Sequence, residues 1–196
     1  MATARKLERE WTAEAFIRTD QHEFGDLWRY ELVEGRIVGH AAPSPEHGAI
    51  LMGLSVALGR VMIGRPGNCR PESGSAAVSR TQQRNTARIP DALVRCGEHP
   101  RVIFEVVSPS EITHWRERDR KLRHLQAVES VMEIVELFQD DYAAHIYRRA
   151  SGDPAVWTFE AVGGPDGVIR LSSLEIELGL AEIYTFASMP TEEAER

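Results

Sequence analysis

The chain has 196 residues, 42% of them apolar, and a formal net charge of −7. That length suits one domain with a real core and is too short for two comfortable ones, and the apolar content excludes a chain disordered by composition. The acidity excludes wholesale coating of nucleic acid and leaves room only for a local basic patch.

The first ten residues carry no apolar signal region. Trp11–Phe16 reads as a short helix. Trp28–Val38 has two apolar-rich arms around Glu34-Gly35, the pattern of a β-hairpin. Pro43-Ser44-Pro45 breaks the chain and starts a helix, with Ser44 as N-cap and Pro45 in the first turn. Glu46 then adds a favourable charge near the helix start. Ile50, Leu51, Leu54, Leu58, Val61 and Met62 share one face of that helix, and Gly64, Pro66 and Gly67 end it. The apolar stretch Ala49–Ile63 is broken by Gly53, Gly59 and Arg60 and is too short to span a bilayer, so no membrane partner is expected. Cys69 and Cys96 lie in separate segments without metal-ligand spacing, which reads as a reducing cytoplasm and no disulfide framework.

A strand is expected near Ser75–Ser79, then two more over Ala87–Arg95 and Arg101–Val107, joined by a turn at Cys96–Pro100. Folding that hairpin about position 98 sets Asp91 directly opposite Glu105. Cross-strand Cβ atoms are about 4.5–5.5 Å apart, where two carboxylates repel. A hard divalent cation between them removes the penalty, and Mg²⁺ commonly binds through one or two carboxylates. Alternatively the register differs by a residue or two, or each acid takes a nearby arginine.

Ser108-Pro109-Ser110 stops the hairpin, and a second helix follows over about Ile112–Val128. Its apolar stripe is Trp115, Leu122, Leu125 and Val128, with Lys121 on the inward edge. A lysine there either snorkels to solvent or reaches a charged cleft. The same helix carries Arg116, Arg118, Arg120, Lys121 and Arg123 against Glu117 and Asp119, a local excess of +3. Such a run contacts phosphates or forms a solvated face with i,i+4 ion pairs. Strands are expected over Val131–Phe138, Tyr142–Tyr147, Val156–Ala161 and Leu171–Leu178, then a short helix near Leu180–Phe186 and a frayed tail. The whole is a mixed α/β (α+β) chain without internal repeats. It has no Ser-His-Asp order, zinc spacing, P-loop or dinucleotide fingerprint.

The order of helix, Pro90-Asp91 strand, Glu105 strand, Lys121 helix and strand resembles the core of the PD-(D/E)XK phosphodiesterase superfamily. More closely, the chain resembles the Uma-two family of restriction endonuclease-like proteins, through Tyr30–Val38, Pro43–His47, Ile89–Val94, Phe104–Ser110, Asp119–Leu122, Tyr147–Arg149 and a C-terminal closure at Leu174–Tyr184. The resemblance implies a restriction endonuclease-like core over residues 11–187: a central mixed β-sheet flanked by helices, an N-terminal β-hairpin and a C-terminal β extension. It implies a Mg²⁺ (or Mn²⁺) ion on Asp91, Glu105 and the backbone carbonyl of Val106, and DNA as substrate. Val107 stands where the usual motif has a lysine, and the resemblance suggests that Lys121 replaces it. Leu125 and Glu129 are milder departures. Glu31 and His47 are implied as accessory candidates, while the charge run of the helix itself offers Arg116, Arg118, Arg120 and Arg123 as nucleic-acid contacts. Double-strand cutting would call for a homodimer. The alternative is an inactive copy of the fold that binds nucleic acid or a protein.

Overall fold

The structure is a computed structural model that describes residues 10–78 and 85–189. Helix α1 (Ala13–Arg18) is capped by the Thr12 side chain, which accepts from the Ala15 amide. Strands β1 (Arg29–Val33) and β2 (Arg36–His40) form the expected hairpin. Its turn residues Glu34 and Gly35 both have positive φ, 49° and 82°, the backbone of a type I′ turn. Helix α2 (Pro45–Met62) starts on Ser44, whose hydroxyl accepts from the His47 amide at 3.1 Å.

Six strands make the main sheet: β3 (Cys69–Ser73), β4 (Ala92–Cys96), β5 (His99–Val107), β6 (Glu133–Phe138), β7 (Ala143–Arg149) and β8 (Trp157–Gly163), adjacent in that order. Only β5 and β6 run parallel. A parallel step needs a crossover, supplied by α3 (Pro109–Thr113) and α4 (Trp115–Gln126). A separate hairpin, β9 (Val168–Leu171) and β10 (Ile176–Gly179), and a short α5 (Leu180–Ile183) follow.

One sheet face carries Ala92, Val94, Val102, Phe104, Val106, Val135 and Leu137, packed against α2, α5 and the β9–β10 hairpin. The approach of α2 to α5 is close: a Cβ on Gly53 would lie 2.0 Å from the Ile183 carbonyl oxygen. The opposite face carries Leu93, Ile103 and Ile134 against Leu125 of α4. A third cluster, Trp11, Phe16, Phe24, Tyr30, Leu32, Ala87 and Ile89, seats the N-terminal hairpin.

Several expectations are corrected. The strand expected near Ser75–Ser79 lies earlier, as β3, and only Ala77 forms a bridge, to Arg88; Ser79 falls outside the described residues. The strand expected over Ala87–Arg95 is split, because Pro90 has no amide to give a ladder. Ala87 and Arg88 bridge to Leu32 and Ala77, and β4 starts at Ala92. The hairpin is centred on 98 only where Ala92 faces Phe104, Leu93 faces Ile103 and Val94 faces Val102; a bulge then sets Arg95 opposite Pro100. The second helix breaks at His114, so the 109–126 segment is two helices. Trp115, assigned to its apolar stripe, is 60% exposed. The Leu171–Leu178 strand is instead a β9–β10 hairpin, turning at Glu175 with φ 53°. The frayed-tail expectation at 191–196 lies outside the described residues.

The cysteines are also corrected. Cys69 and Cys96 face each other across β3 and β4 and are joined in a disulfide spanning 27 positions. Sequence separation hid this because the pairing of edge strand β3 with β4 is a long-range event. A loop of that length constrains the unfolded chain by about 3–4 kcal/mol. Reduction is therefore expected to lower the free energy of unfolding in urea by about that amount, seen as a lower midpoint, without changing far-ultraviolet dichroism. Equal midpoints for oxidised and reduced protein would refute the linkage.

Candidate active site

Asp91 lies immediately before β4, one step past the Ala92–Phe104 pair, and so opposite Glu105 on β5. Its side chain takes the place of a missing ladder bond: Oδ2 accepts from the Val106 amide at 2.9 Å. Glu105 in turn is the parallel partner of Glu136 on β6. Three acids thus stand in a row across one sheet face, all buried.

Helix α4 answers two of them. Lys121 Nζ lies 2.6 Å from Glu105 Oε2, and Arg118, three residues earlier on the same helix face, forks onto both oxygens of Glu136. Tyr147 also donates to Glu136, at 3.1 Å. The third acid is answered from elsewhere: Arg29 Nη1 lies 3.0 Å from Asp91 Oδ1, and His47 Nε2 lies 3.3 Å from the same oxygen. His47 stands in the first turn of α2, where Ser44 places it, and Gln139 approaches both Ser44 and His47. Glu31 is fully buried and accepts from Arg88 at 2.9 Å, from the Ile89 amide at 2.8 Å, and faces His40.

Burial works against the ionisation of Asp91, yet the His47 hydrogen bond and the Lys121 and Arg29 charges hold its carboxyl well below the usual range. Burial pushes Glu105 up to about 8; Lys121 opposes this and the Asp91 charge reinforces it. Lys121 is raised despite its own burial, because Glu105, Glu31 and Asp91 surround it. The directions agree physically: an ammonium among three acids keeps its proton, while the acid beside another acid takes one up more readily. One Glu105 oxygen, Oε1, is buried without any hydrogen-bond partner among the described residues, and so is Arg29 Nε.

These groups sit in a cleft of about 1100 Å³ between the N-terminal hairpin, the start of α2 and α4. Of the residues expected from sequence, Asp91, Glu105, Lys121 and His47 come together there, with Glu31 behind them bonded to Arg88. The carbonyl of Val107 accepts from Gln139 on the β6 side; carbonyls alternate along a strand, so that of Val106 is turned toward Asp91. The basic run divides by its partners. Arg118 is committed to Glu136 and Arg123 to Asp119, leaving Arg120 exposed along the cleft and Arg116 over the Trp115 ring. Sequence reasoning missed Arg29, Gln139 and Glu136. Arg29 was findable, since strand alternation puts it on the same side as Glu31, two residues on. Gln139 and Glu136 carried no local signal.

The family model described as "Uma2: Putative restriction endonuclease" matches residues 13–181. The chain belongs to this family. No curated protein matches it. Among solved structures, "a putative nuclease belonging to DUF820 from Anabaena variabilis ATCC 29413" superposes with a TM-score of 0.64 at 16% identity, covering 90% of this chain and 98% of that one. That likeness carries the fold: a mixed sheet flanked by helices, as the resemblance implied. Among the described residues no helix is long and apolar enough to cross a membrane.

Glu31 offers a test of the electrostatics. Burial raises its pKa, but the Lys121 charge, the His40 hydrogen bond and the Arg88 charge together bring it below the ordinary value. The unfolded chain then binds the extra proton, so this contribution is complete above about pH 4.3 and is lost as pH falls below it. Glu31→Gln leaves Arg88 uncompensated and is expected to cost about 3–5 kcal/mol at neutral pH. It should also flatten the acid limb of stability against pH. A mutant with wild-type urea midpoints at both pH 7 and pH 3 would contradict the assignment.

Proposed function

We propose that the chain is a metal-dependent phosphodiester hydrolase, a DNA endonuclease, working in the Asp91–Glu105 cleft. The observation that carries this is the unpartnered, buried Oε1 of Glu105 beside the second carboxylate, Asp91. A buried acceptor without a donor is costly, and a hard cation would satisfy it. No cluster of three or more His, Cys, Asp or Glu side chains suited to a metal occurs among the described residues. Mg²⁺ does not need one, since it keeps waters and takes substrate phosphate oxygens beside one or two carboxylates. The oxygen donors of Asp91, Glu105 and the Val106 carbonyl fit it, and Mn²⁺ by the same chemistry.

A bound Mg²⁺ would supply Lewis acidity toward a phosphate oxygen and a lower pKa for an attacking water. The protein's own groups do the rest. Lys121, held charged by three acids, offers its ammonium to charge developing on the phosphate. His47 and Arg29 orient Asp91. Arg120 faces the cleft as a phosphate contact.

One observation favours a second reading, a catalytically inactive binding module. Both Asp91 oxygens are already engaged by Arg29, His47 and the Val106 amide. Metal binding separates the two. Millimolar Mg²⁺ or Mn²⁺ is expected to raise the melting temperature, because a ligand of the native state stabilises it. Asp91→Asn should remove most of that rise while keeping the fold; equal shifts in both proteins would place the ion elsewhere.

Cleavage tests the lysine. Lys121→Ala is expected to reduce Mg²⁺-dependent cleavage by roughly 10²–10³-fold with the metal-induced melting shift retained. Arg120→Ala should instead weaken DNA binding and flatten its salt dependence. Purified protein that cuts neither single-stranded nor double-stranded DNA with either ion would favour the binding module.

A further inference from the structure

We infer that the cleft takes a single strand of DNA, one base of which stacks on Trp28. This rests on the nuclease reading and adds the form of its substrate. Trp28 is 68% exposed and lines the same cleft as Asp91 and Glu105. It immediately precedes Arg29, whose guanidinium holds Asp91 at 3.0 Å. The ring has no role in the nearby core, which is completed by Trp11, Phe16, Phe24 and Tyr30. Leu27, its neighbour, is accounted for: it lies over Gly39, where a Cβ would meet Leu27 Cδ1 at 2.3 Å. A large flat ring facing water inside a cleft presents an aromatic face that a planar partner would cover.

The charges point the same way. At the floor, Arg29, Arg88 and Lys121 are each paired with an acid: Asp91, Glu31 and Glu105. On α4, Arg118 and Arg123 are also paired. Arg120 is exposed along the cleft. A protein that grips a duplex through about 6–10 phosphate contacts draws much of its affinity from them, and the cleft, in a chain of net charge −7, holds no cationic set on that scale among the described residues. Stacking needs no such charge, and every unpaired base has a π face to offer. In a duplex those faces are covered by neighbouring base pairs, so Trp28 reaches one only at the cost of unstacking.

The test is binding without metal, by fluorescence anisotropy, using a labelled thymidine strand of about 16 nucleotides and a duplex of the same length. Wild type is expected to bind the strand at least about tenfold more tightly than the duplex, a difference of about 1.4 kcal/mol. Trp28→Ala should weaken strand binding roughly 5- to 150-fold, and Trp28→Tyr, which keeps a stacking face, should retain most of it. Equal or tighter duplex binding, an unaffected Trp28→Ala variant, or no binding of either DNA would each overturn the inference. Cleavage separates it from the nuclease reading. Mg²⁺-dependent duplex cutting that Trp28→Ala leaves intact keeps the nuclease and sinks the stacking role. Strand binding through Trp28 in a protein that cuts nothing does the reverse.

Discussion

Three buried carboxylates in a row across one sheet face constrain everything around them. Asp91, Glu105 and Glu136 lie on successive strands, and unpaired charges there would cost several kcal/mol each. Helix α4 must therefore lie where it does. Its residues 118 and 121 are one turn apart, and the strands they reach, β6 and β5, are adjacent. The helix's apolar side is small, Leu122 and Leu125 against Ile103 and Ile134; its cations do much of the seating. A helix with this many charges would be poorly anchored on an apolar sheet, and this sheet without the helix would not tolerate its acids.

The cleft forms where regular structure stops. Pro90 interrupts the strand, which frees Asp91 to turn its side chain onto the Val106 amide instead of continuing a ladder. Ser44 starts α2 and puts His47 beside it. The Ser108 capping box ends β5 and starts α3 just beyond Glu105. Breaks in local regularity cluster here, as they do where residues are held for chemistry rather than for packing. The neighbouring row of Glu136, Arg118 and Tyr147 has every oxygen satisfied. The Glu105 oxygen does not. Satisfied and unsatisfied carboxylates, side by side on neighbouring strands, distinguish a structural charge cluster from a candidate site.

The far end of the same strands is treated differently. Cys69 and Cys96 close the edge strand β3 onto β4, while Ser73 at the other end of β3 donates to the Asp91 carbonyl at 2.9 Å. The strand carrying Asp91 is thus tied to its edge neighbour at both ends. An exposed edge strand with Pro71 in it has few ladder bonds to spare, so these two links hold what the ladder cannot.

What the sequence by itself determined was local. Ser44-Pro45 set the start of α2, Glu34-Gly35 set the hairpin turn, and the apolar periodicities set most strands; each depends on residues within a few positions. The facing of Asp91 and Glu105 follows from centring the hairpin on position 98, but the turn itself pairs Cys96 with His99, and it is the bulge beside Arg95 that brings Asp91 into line with Glu105. Lys121 was legible as a charge on an inward helical edge. What only the tertiary structure decided were the long-range partners. That Lys121 meets Glu105, Arg118 meets Glu136, Arg29 meets Asp91 and Cys69 meets Cys96 follows from which strands lie adjacent and where α4 crosses them. Sheet order joins residues tens of positions apart, and no local pattern of side chains encodes that choice.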